Sequence, residues 1–399
     1  MLSVAEARAR ILAPLRPVGT EVVGLADAAG RVLAAPVMAR VTQPPADVSA
    51  MDGYAVRSAD GAAPRDMVGA APAGQPFGHT VLAGQAVRLF TGSVVPDGAD
   101  AVVPQEVVEL TGATIRLAGA PAQGAHIRVR GKDFTVGDVL LEAGQRLSAR
   151  AVGLAAAGNH PWLTVHRRPR VAVLATGTEI VLPGEPLGAG GIVSSNAHAL
   201  AALLRAAGAD VSLLPVAADS VDLISAAAKS VSADLLLTTG GASVGDHDLV
   251  QAALGRIGFE LDFWQVAMRP GKPLLHGRLG GMAVLGLPGN PVSAYVCALL
   301  FALPAVARLS GLADAEPPME GAVLGAAVKA NDHRADHLRA TLHRDNGQLV
   351  ATPFPVQDSS LLTVLFQADA LVLRRPGAPA LPAGAPVPVL RLDALLPRL

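Results

Sequence analysis

The sequence predicts a multi-domain protein in which an α/β domain with a parallel-dominated sheet is joined to β-rich domains, and three observations carry that prediction. The chain has 399 residues, too many for one ordinary hydrophobic core. Between about 170 and 310, near-continuous apolar runs alternate with amphipathic segments, the pattern of parallel strands covered by helices on both faces. On either side of that stretch the pattern changes to short alternating runs broken by Gly and Pro, which points to small β units.

Taken in order, Ser3 and Glu6 form an S-x-x-E capping box that opens an amphipathic helix, followed by Pro-punctuated extended segments to residue 48. From 49 to 145 the runs AVRLFTG, AVVPQEVVEL, HIRVRGKDF and DVLLEAGQRL, separated by glycines, predict a small all-β unit. A helix around 148–157 leads to Arg167-Arg168-Pro169, a linker. Beyond it, strands are expected at 170–175, 211–216, 234–239 and 283–287, and helices at 196–207, 220–230, 246–257 and 291–309. Residues 263–277 read as an inserted hairpin. From about 315 the alternation returns, Asp345-Asn346-Gly347 marks a hairpin turn, and Pro-rich strands suggest a terminal β-barrel. The expected division is a helical and extended spine or linker domain (1–48 with 146–168), a β-rich domain (49–145), an α/β domain (169–311) and a C-terminal β-barrel (312–399).

Composition narrows the function classes. With 32 basic against 33 acidic residues, the chain carries no field suited to nucleic acid, and no nucleic-acid partner is expected. The single cysteine, Cys297, excludes an internal disulfide and reads as an inert buried thiol in the apolar run VSAYVCALLFALPAV. The longest apolar stretch, Val296 to Ala307, is expected to be broken by Pro304, short of the ~18 residues a membrane span needs. The N-terminus has charges from Glu6 onward and no signal-peptide core, so a soluble, cytoplasmic protein with no membrane partner is expected.

In an open parallel sheet, ligands sit beyond the carboxyl ends of the strands. Three such ends run into loops suited to an anion: Thr176-Gly177-Thr178-Glu179, then Gly240-Gly241-Ala242-Ser243 leading to Asp246-His247-Asp248, and Pro288-Gly289-Asn290-Pro291-Val292-Ser293. Glycines let the backbone approach a ligand, and helix N-termini offer unpaired N–H donors. The carboxylates Glu179, Asp219, Asp246 and Asp248 flank the same edge and, with phosphate nearby, suggest Mg²⁺. Arg269-Pro270-Gly271-Lys272-Pro273 holds two cations on a proline-fixed turn, which favours an oxyanion. Arg128 and Arg130 alternate with Ile127 and Val129, so both are expected on one face of a strand, with Asp133 in the following turn. The segment Ser49 to Val56 offers no generic chemistry by spacing, the histidines show no zinc spacing, and no nucleophile-elbow or Walker A motif is present. The residues alone point to an anionic, phosphate-bearing ligand and Mg²⁺.

Seven segments occur together: SAMDGYAV (49–56), RLFTGSVVPDGADAVVPQE (88–106), RVRGKDF (128–134), VAVLATGTEI (171–180), LLLTTGGASVGDHD (235–248), VAMRPGKPL (266–274) and GLPGNPVSA (286–294). In this order they closely resemble the molybdopterin molybdenumtransferase family, known as MoeA in bacteria and as the E domain of gephyrin-type proteins. The resemblance covers roughly residues 3–399. It implies a four-domain homodimer whose α/β domain binds molybdopterin. The family takes molybdate and adenylylated molybdopterin, cleaves the phosphoanhydride with Mg²⁺, and releases AMP and molybdenum cofactor. It further implies a composite active site between subunits, and the adenylyltransferase and recipient molybdoenzymes as partners.

Matched position by position, Asp52, Thr91, Arg128 and Asp133 belong to the β-rich side of that site. Glu179, Asp219 and Asp248 match its acidic positions, with Glu179 and Asp248 as Mg²⁺ ligands. Gly240, Gly241, Ser243, Arg269, Lys272, Pro273, Pro288, Gly289, Asn290 and Ser293 match the molybdate and phosphate pocket. Arg334, Arg339 and the Asp358-Ser359-Ser360 segment match the terminal domain's contribution. The chain departs from the family pattern at Thr178 and Ser194, where acids are usual, at Arg269, where Lys is usual, and at Val129, which interrupts an arginine triplet. A non-catalytic molybdopterin-binding carrier or scaffold of the same fold is the alternative reading, and the adenylyltransferase, which lacks the SAMDGYAV region and the barrel, is a more distant one.

Overall fold

The structure, a computed structural model, describes residues 1–240 and 249–392. The chain divides into two compact units: Met1–Ala35 with Ala143–Ala149 and Thr164–Leu399, and Pro36–Glu142 with Arg150–Leu163.

The larger unit is built around a six-stranded sheet in the order Asp210–Leu213, Arg170–Ala175, Leu235–Thr239, Met282–Leu287, Pro273–Leu279, Phe259–Gln265. The first four strands pair in parallel, and the last two are added through antiparallel pairings. Successive side chains alternate across a sheet. Val171, Val173, Leu235 and Leu237 therefore enter one core with helices Asn196–Ala206 and Pro291–Cys297, while Ala172, Leu174 and Leu236 enter the other with Val221–Lys229 and Leu249–Gly255. Both faces of the central strands are covered, which is why Val171–Ala175 and Leu235–Leu237 are apolar at every position. The segment read as an inserted hairpin is instead the sheet's antiparallel edge: Phe259–Gln265 pairs with Pro273–Leu279, which pairs in turn with Met282–Leu287. Charges at Glu260 and Asp262 masked the first of these strands.

Pro304 does not break its helix. Helical structure runs from Pro291 to Leu309, with a π-helical segment at Ala298–Ala302 directly before the proline's own turn. Proline lacks an N–H and its ring crowds the carbonyl four residues back; a locally widened turn accommodates both. The result is a 19-residue helix long and apolar enough to cross a membrane, yet 83 % of its most apolar window is buried inside the protein.

The same unit carries the N-terminal helix Val4–Leu12, opened as expected by a capping box: the Glu6 N–H donates to Ser3 Oγ (3.2 Å) and the Ser3 N–H to Glu6 Oε2 (2.8 Å). Five strands close into a barrel: Ala335–Asp345, Gln348–Pro353, Glu320–Leu324, Pro386–Arg391 and Ala370–Arg374, the last pairing back to the first. Its interior is filled by small and β-branched residues such as Ala340, Ala351, Val372 and Val389. Asp345 pairs with Gln348, and Asn346 and Gly347 both have positive φ (47° and 82°), the geometry a two-residue type I′ hairpin requires.

The smaller unit is all β apart from its helical residues. Its sheet runs in the order Ala101–Pro104, Gly53–Val56, Gln85–Leu89, Arg65–Ala71, Thr114–Leu117, Val108–Thr111. Two short ribbons accompany it, Val48–Ser49 with Ile127–Arg128 and Val37–Met38 with Val139–Leu141.

Candidate functional site

In the larger unit, the carboxyl ends of three neighbouring parallel strands converge on one cavity of about 590 Å³. Its wall includes Thr176 and Glu179 after the first strand, Thr239 and Gly240 at the second, and Pro288, Gly289 and Asn290 after the third. Pro273, Asn196 and Ser360 complete it from other segments. The loops meet closely because of glycine. Gly240 has φ +99°, and a β-carbon there would overlap the Thr176 carbonyl. Gly177 has φ +142°, and its bare Cα lies against the Glu179 carboxylate, where a β-carbon would come within 2.7 Å. Glu179 is thus an exposed carboxylate on the cavity, positioned by the glycine two residues before it.

Asn196 joins two of the three strand ends. Its amide donates to Thr239 Oγ1 (3.0 Å) and to the Gly289 carbonyl (2.7 Å). The sequence reading stops at the nearby Ser194 and does not single this residue out; its signal is an amide at the first position of a helix facing two glycine loops. Asn196→Ala is expected to loosen the cavity and raise the KM for its ligand by up to about 30-fold, the equivalent of two hydrogen bonds of roughly 1 kcal/mol each. Steady-state kinetics read this, and an unchanged KM would show that the loops hold their places without the amide. Thr176, named above only as part of its loop, is 2 % exposed, and its hydroxyl has no hydrogen-bond partner among the described residues.

Asp219 stands outside the cavity wall and pairs with the Thr176–Glu179 loop. Its carboxylate accepts the Thr178 N–H (3.3 Å), and its own N–H donates to Thr178 Oγ1 (3.1 Å). Thr178 therefore locks the loop next to Glu179. Ser194 is buried on the cavity wall, its N–H donating to Val181 (2.8 Å). Gly241, Ser243, Asp246 and Asp248 lie outside the described residues.

The barrel reaches the same cavity through residues 358–360. Asn290 Nδ2 donates to Ser359 Oγ (3.1 Å), the Val292 N–H donates to the Ser359 carbonyl (3.0 Å), and Ser360 is on the wall. Arg339 anchors this segment from below. It is 1 % exposed and donates to Gln357 Oε1 (3.1 Å) and to the Asp358 carbonyl (2.7 Å), so its part is to hold the loop rather than to meet a ligand. Ser293 is buried in the first turn of the helix Pro291–Cys297 and is not on the wall.

The two cations of the proline-rich turn differ. Arg269 is paired: Nε lies 2.9 Å and Nη2 3.3 Å from the two oxygens of Asp336. Arg334 is likewise held by Asp332, at 2.7 Å, and Asp332 also lies 4.0 Å from Arg269. The Arg334 guanidinium and N–H hold the Asp332 carboxyl well below the usual carboxylate range. Lys272 has no ion pair with any described residue, and the next residue, Pro273, is on the cavity wall. Cys297 is buried beneath the turn, its thiol pushed up by burial and directed to the Gly271 carbonyl at 3.7 Å, in keeping with an inert thiol.

In the smaller unit, Asp52 and Thr91 meet: Asp52 Oδ1 accepts both the Thr91 N–H (2.7 Å) and the Thr91 hydroxyl (2.8 Å). These bonds lower the Asp52 pKa. Because folding depresses it, the interaction stabilises the fold above the unfolded carboxylate pKa and fades as pH falls through the lower folded value. Thr91→Val, which keeps only the N–H bond, should shift the Asp52 titration upward in carboxyl ¹³C NMR; an unshifted curve would remove the hydroxyl from the account. Gly53 follows because a β-carbon would overlap the Val103 carbonyl, and Arg88 lies over the rings of Tyr54 and Phe90 at 5.1 and 5.2 Å. Arg128 pairs with Val48 on the ribbon that leads into Asp52, exposed and without an ion pair to a described residue. The expected alternation stops there. The strand ends at Arg128, a turn follows, and Arg130 Nε donates to the Pro45 carbonyl (3.1 Å), so the two arginines do not alternate along one strand. Asp133 is exposed, its N–H bound to the Gln43 carbonyl (3.0 Å).

No cluster of three or more His, Cys, Asp or Glu side chains poised for a metal occurs among the described residues. Magnesium does not demand one, since phosphate oxygens and water complete its shell around one or two carboxylates. Glu179, an exposed carboxylate on the cavity, fits that requirement.

Three family models match successive parts of the chain: the MoeA N-terminal region (domain I and II) over residues 2–158, a probable molybdopterin binding domain over 172–308, and the MoeA C-terminal region (domain IV) over 321–392. The chain is 34 % identical over 382 residues to the molybdopterin molybdenumtransferase of Haemophilus influenzae, covering 94 % of each. It is 38 % identical over 312 residues to that of Nostoc, covering 75 % of this chain and 72 % of the relative. Among solved structures, the molybdopterin biosynthesis MoeA protein of Pyrococcus horikoshii superposes with a TM-score of 0.85 at 27 % identity, over 98 % of this chain and 99 % of that one. With near-full-length relatives and family models from end to end, the chain belongs to the molybdopterin molybdenumtransferase family, transferases of molybdenum cofactor biosynthesis.

Proposed function

We propose that the cavity at the three strand ends binds adenylylated molybdopterin and that the protein inserts molybdate into it, cleaving the phosphoanhydride and releasing AMP and molybdenum cofactor. The observation that carries this reading is the cavity itself. Glycine-rich strand-to-helix loops with an exposed carboxylate, beside an ammonium that has no ion pair among the described residues, make a site for a phosphate-bearing ligand. Gly240, Gly289 and Asn290 line the cavity and would offer backbone and amide contacts to phosphate. Lys272 supplies a fixed positive charge for molybdate, and Ser359 and Ser360 supply hydroxyls from the barrel. Preorganised donors of this kind act where charge develops on the departing phosphate. Magnesium, held by Glu179 and by phosphate oxygens of the ligand, would neutralise the anhydride.

The roles of Asp52, Thr91, Arg128 and Asp133 belong to the same reading. So does a cytoplasmic homodimer in which each subunit supplies part of the other's site, a reading that rests on the family likeness. Mixing Asp52→Ala and Glu179→Ala subunits tests both. Random reassociation should restore about a quarter of wild-type activity, since half of the dimers are mixed and each has one intact site. Inactive mixtures, with mixed dimers present, would place both residues in a site of one subunit and overturn the shared arrangement.

A further inference from the structure

Four charges surround the proline-rich turn, and they cancel. Arg269 and Arg334 are each gripped by a carboxylate, Asp336 and Asp332, at 2.7–3.3 Å. Asp336 is buried and fixed on the barrel strand, which pairs through Ala335 and Asp336 with Met268 and Arg269. The guanidinium of Arg269, by contrast, is half exposed. A cation so held is screened from an incoming dianion by its own partner, whereas Lys272 has no carboxylate among the described residues to screen it. An unscreened arginine binds any tetrahedral dianion through charge and a bidentate fork, without regard to the central atom.

Resting on the oxyanion reading above, we propose that Asp336 is a specificity-determining positioning residue: it neutralises Arg269, leaves Lys272 as the anion-binding charge of the turn, and so limits capture of competing dianions such as sulfate.

The test compares wild type, Asp336→Asn, Asp336→Glu and the double variant Arg269→Gln/Asp336→Asn. Calorimetry measures binding of molybdate and of sulfate to the protein without pterin, and steady-state kinetics give KM for molybdate and Ki for sulfate. Asp336→Asn should bind both dianions about 3- to 10-fold more tightly and lower the sulfate Ki at least as much as the molybdate KM, with kcat little changed. Asp336→Glu should restore wild-type behaviour, and removing Arg269 in the double variant should abolish the gain. Unchanged or weaker dianion binding by a folded Asp336→Asn protein, or a gain that survives loss of Arg269, overturns the proposal. The oxyanion reading fails separately if wild type binds no molybdate; a gain in sulfate binding by Asp336→Asn would then still support the screening role. Absence of dianion binding in every variant overturns both.

Discussion

Glu179→Gln should lower molybdate-dependent AMP release by about 100- to 1,000-fold, the scale on which removal of one electrostatic group from a reacting centre is felt. The side chain is exposed on the cavity and makes no hydrogen bond to a described residue, so the isosteric amide leaves packing intact and removes only charge. Gly177 would still present a bare Cα to the new amide. Binding of the nucleotide-bearing substrate should change far less than turnover, and the magnesium concentration for half-maximal rate should rise. Asp219→Asn is the contrast. Its carboxylate already holds the Thr178 N–H, an amide oxygen can still accept that bond, and the loss should be several-fold. Equal losses in the two variants would mean that the acidic edge acts as a diffuse field, and that Glu179 has no privileged place in it.

The second large effect concerns stability. Gly271→Ala should destabilise the larger unit by about 2–5 kcal/mol, combining a residue forced to φ +107° with overpacking against the Cys297 sulfur, 2.5 Å from the added carbon. The two causes separate in a double variant. Gly271→Ala/Cys297→Ala removes the sulfur and should recover roughly half of the loss, leaving the backbone strain, which no change at 297 can relieve. Urea denaturation followed by far-UV circular dichroism reads both. A fully stable Gly271→Ala protein would show that the turn relaxes freely, and a turn that soft could not preorganise Lys272.

These two residues also illustrate what a sequence makes legible. The Arg269-Pro270-Gly271-Lys272-Pro273 turn announces itself locally, through prolines, glycine and paired cations. So do the capping box at Ser3 and Glu6, the type I′ turn at Asn346-Gly347 and the loops after the parallel strands, because each depends on residues within a few positions of one another. The partners of those cations do not announce themselves. Asp336 is 67 residues from Arg269, and nothing about an aspartate in a barrel strand says that it will neutralise a particular arginine. The same distance hides Asn196, whose bonds reach 43 and 93 residues along the chain. Pro304 fails for another reason: a rule about local backbone chemistry was overridden by a buried helix whose apolar packing favours continuing through a π turn. Arg128 and Arg130 show the reverse limit, where a two-residue pattern was too short to establish a strand and the chain turned after the first arginine.

The proposed reaction couples molybdate to cleavage of an adenylylated pterin. The most direct test is to incubate the full-length protein with adenylylated molybdopterin and Mg²⁺, with and without molybdate, and to follow AMP by chromatography. Activation of a cofactor-free molybdoenzyme is scored in the same samples. The predicted result is AMP release that requires molybdate, appears together with the activating product, and is lost in Glu179→Gln. Tight, stoichiometric pterin binding with no AMP released at any molybdate concentration would contradict it, and would make the protein a carrier of the cofactor precursor instead.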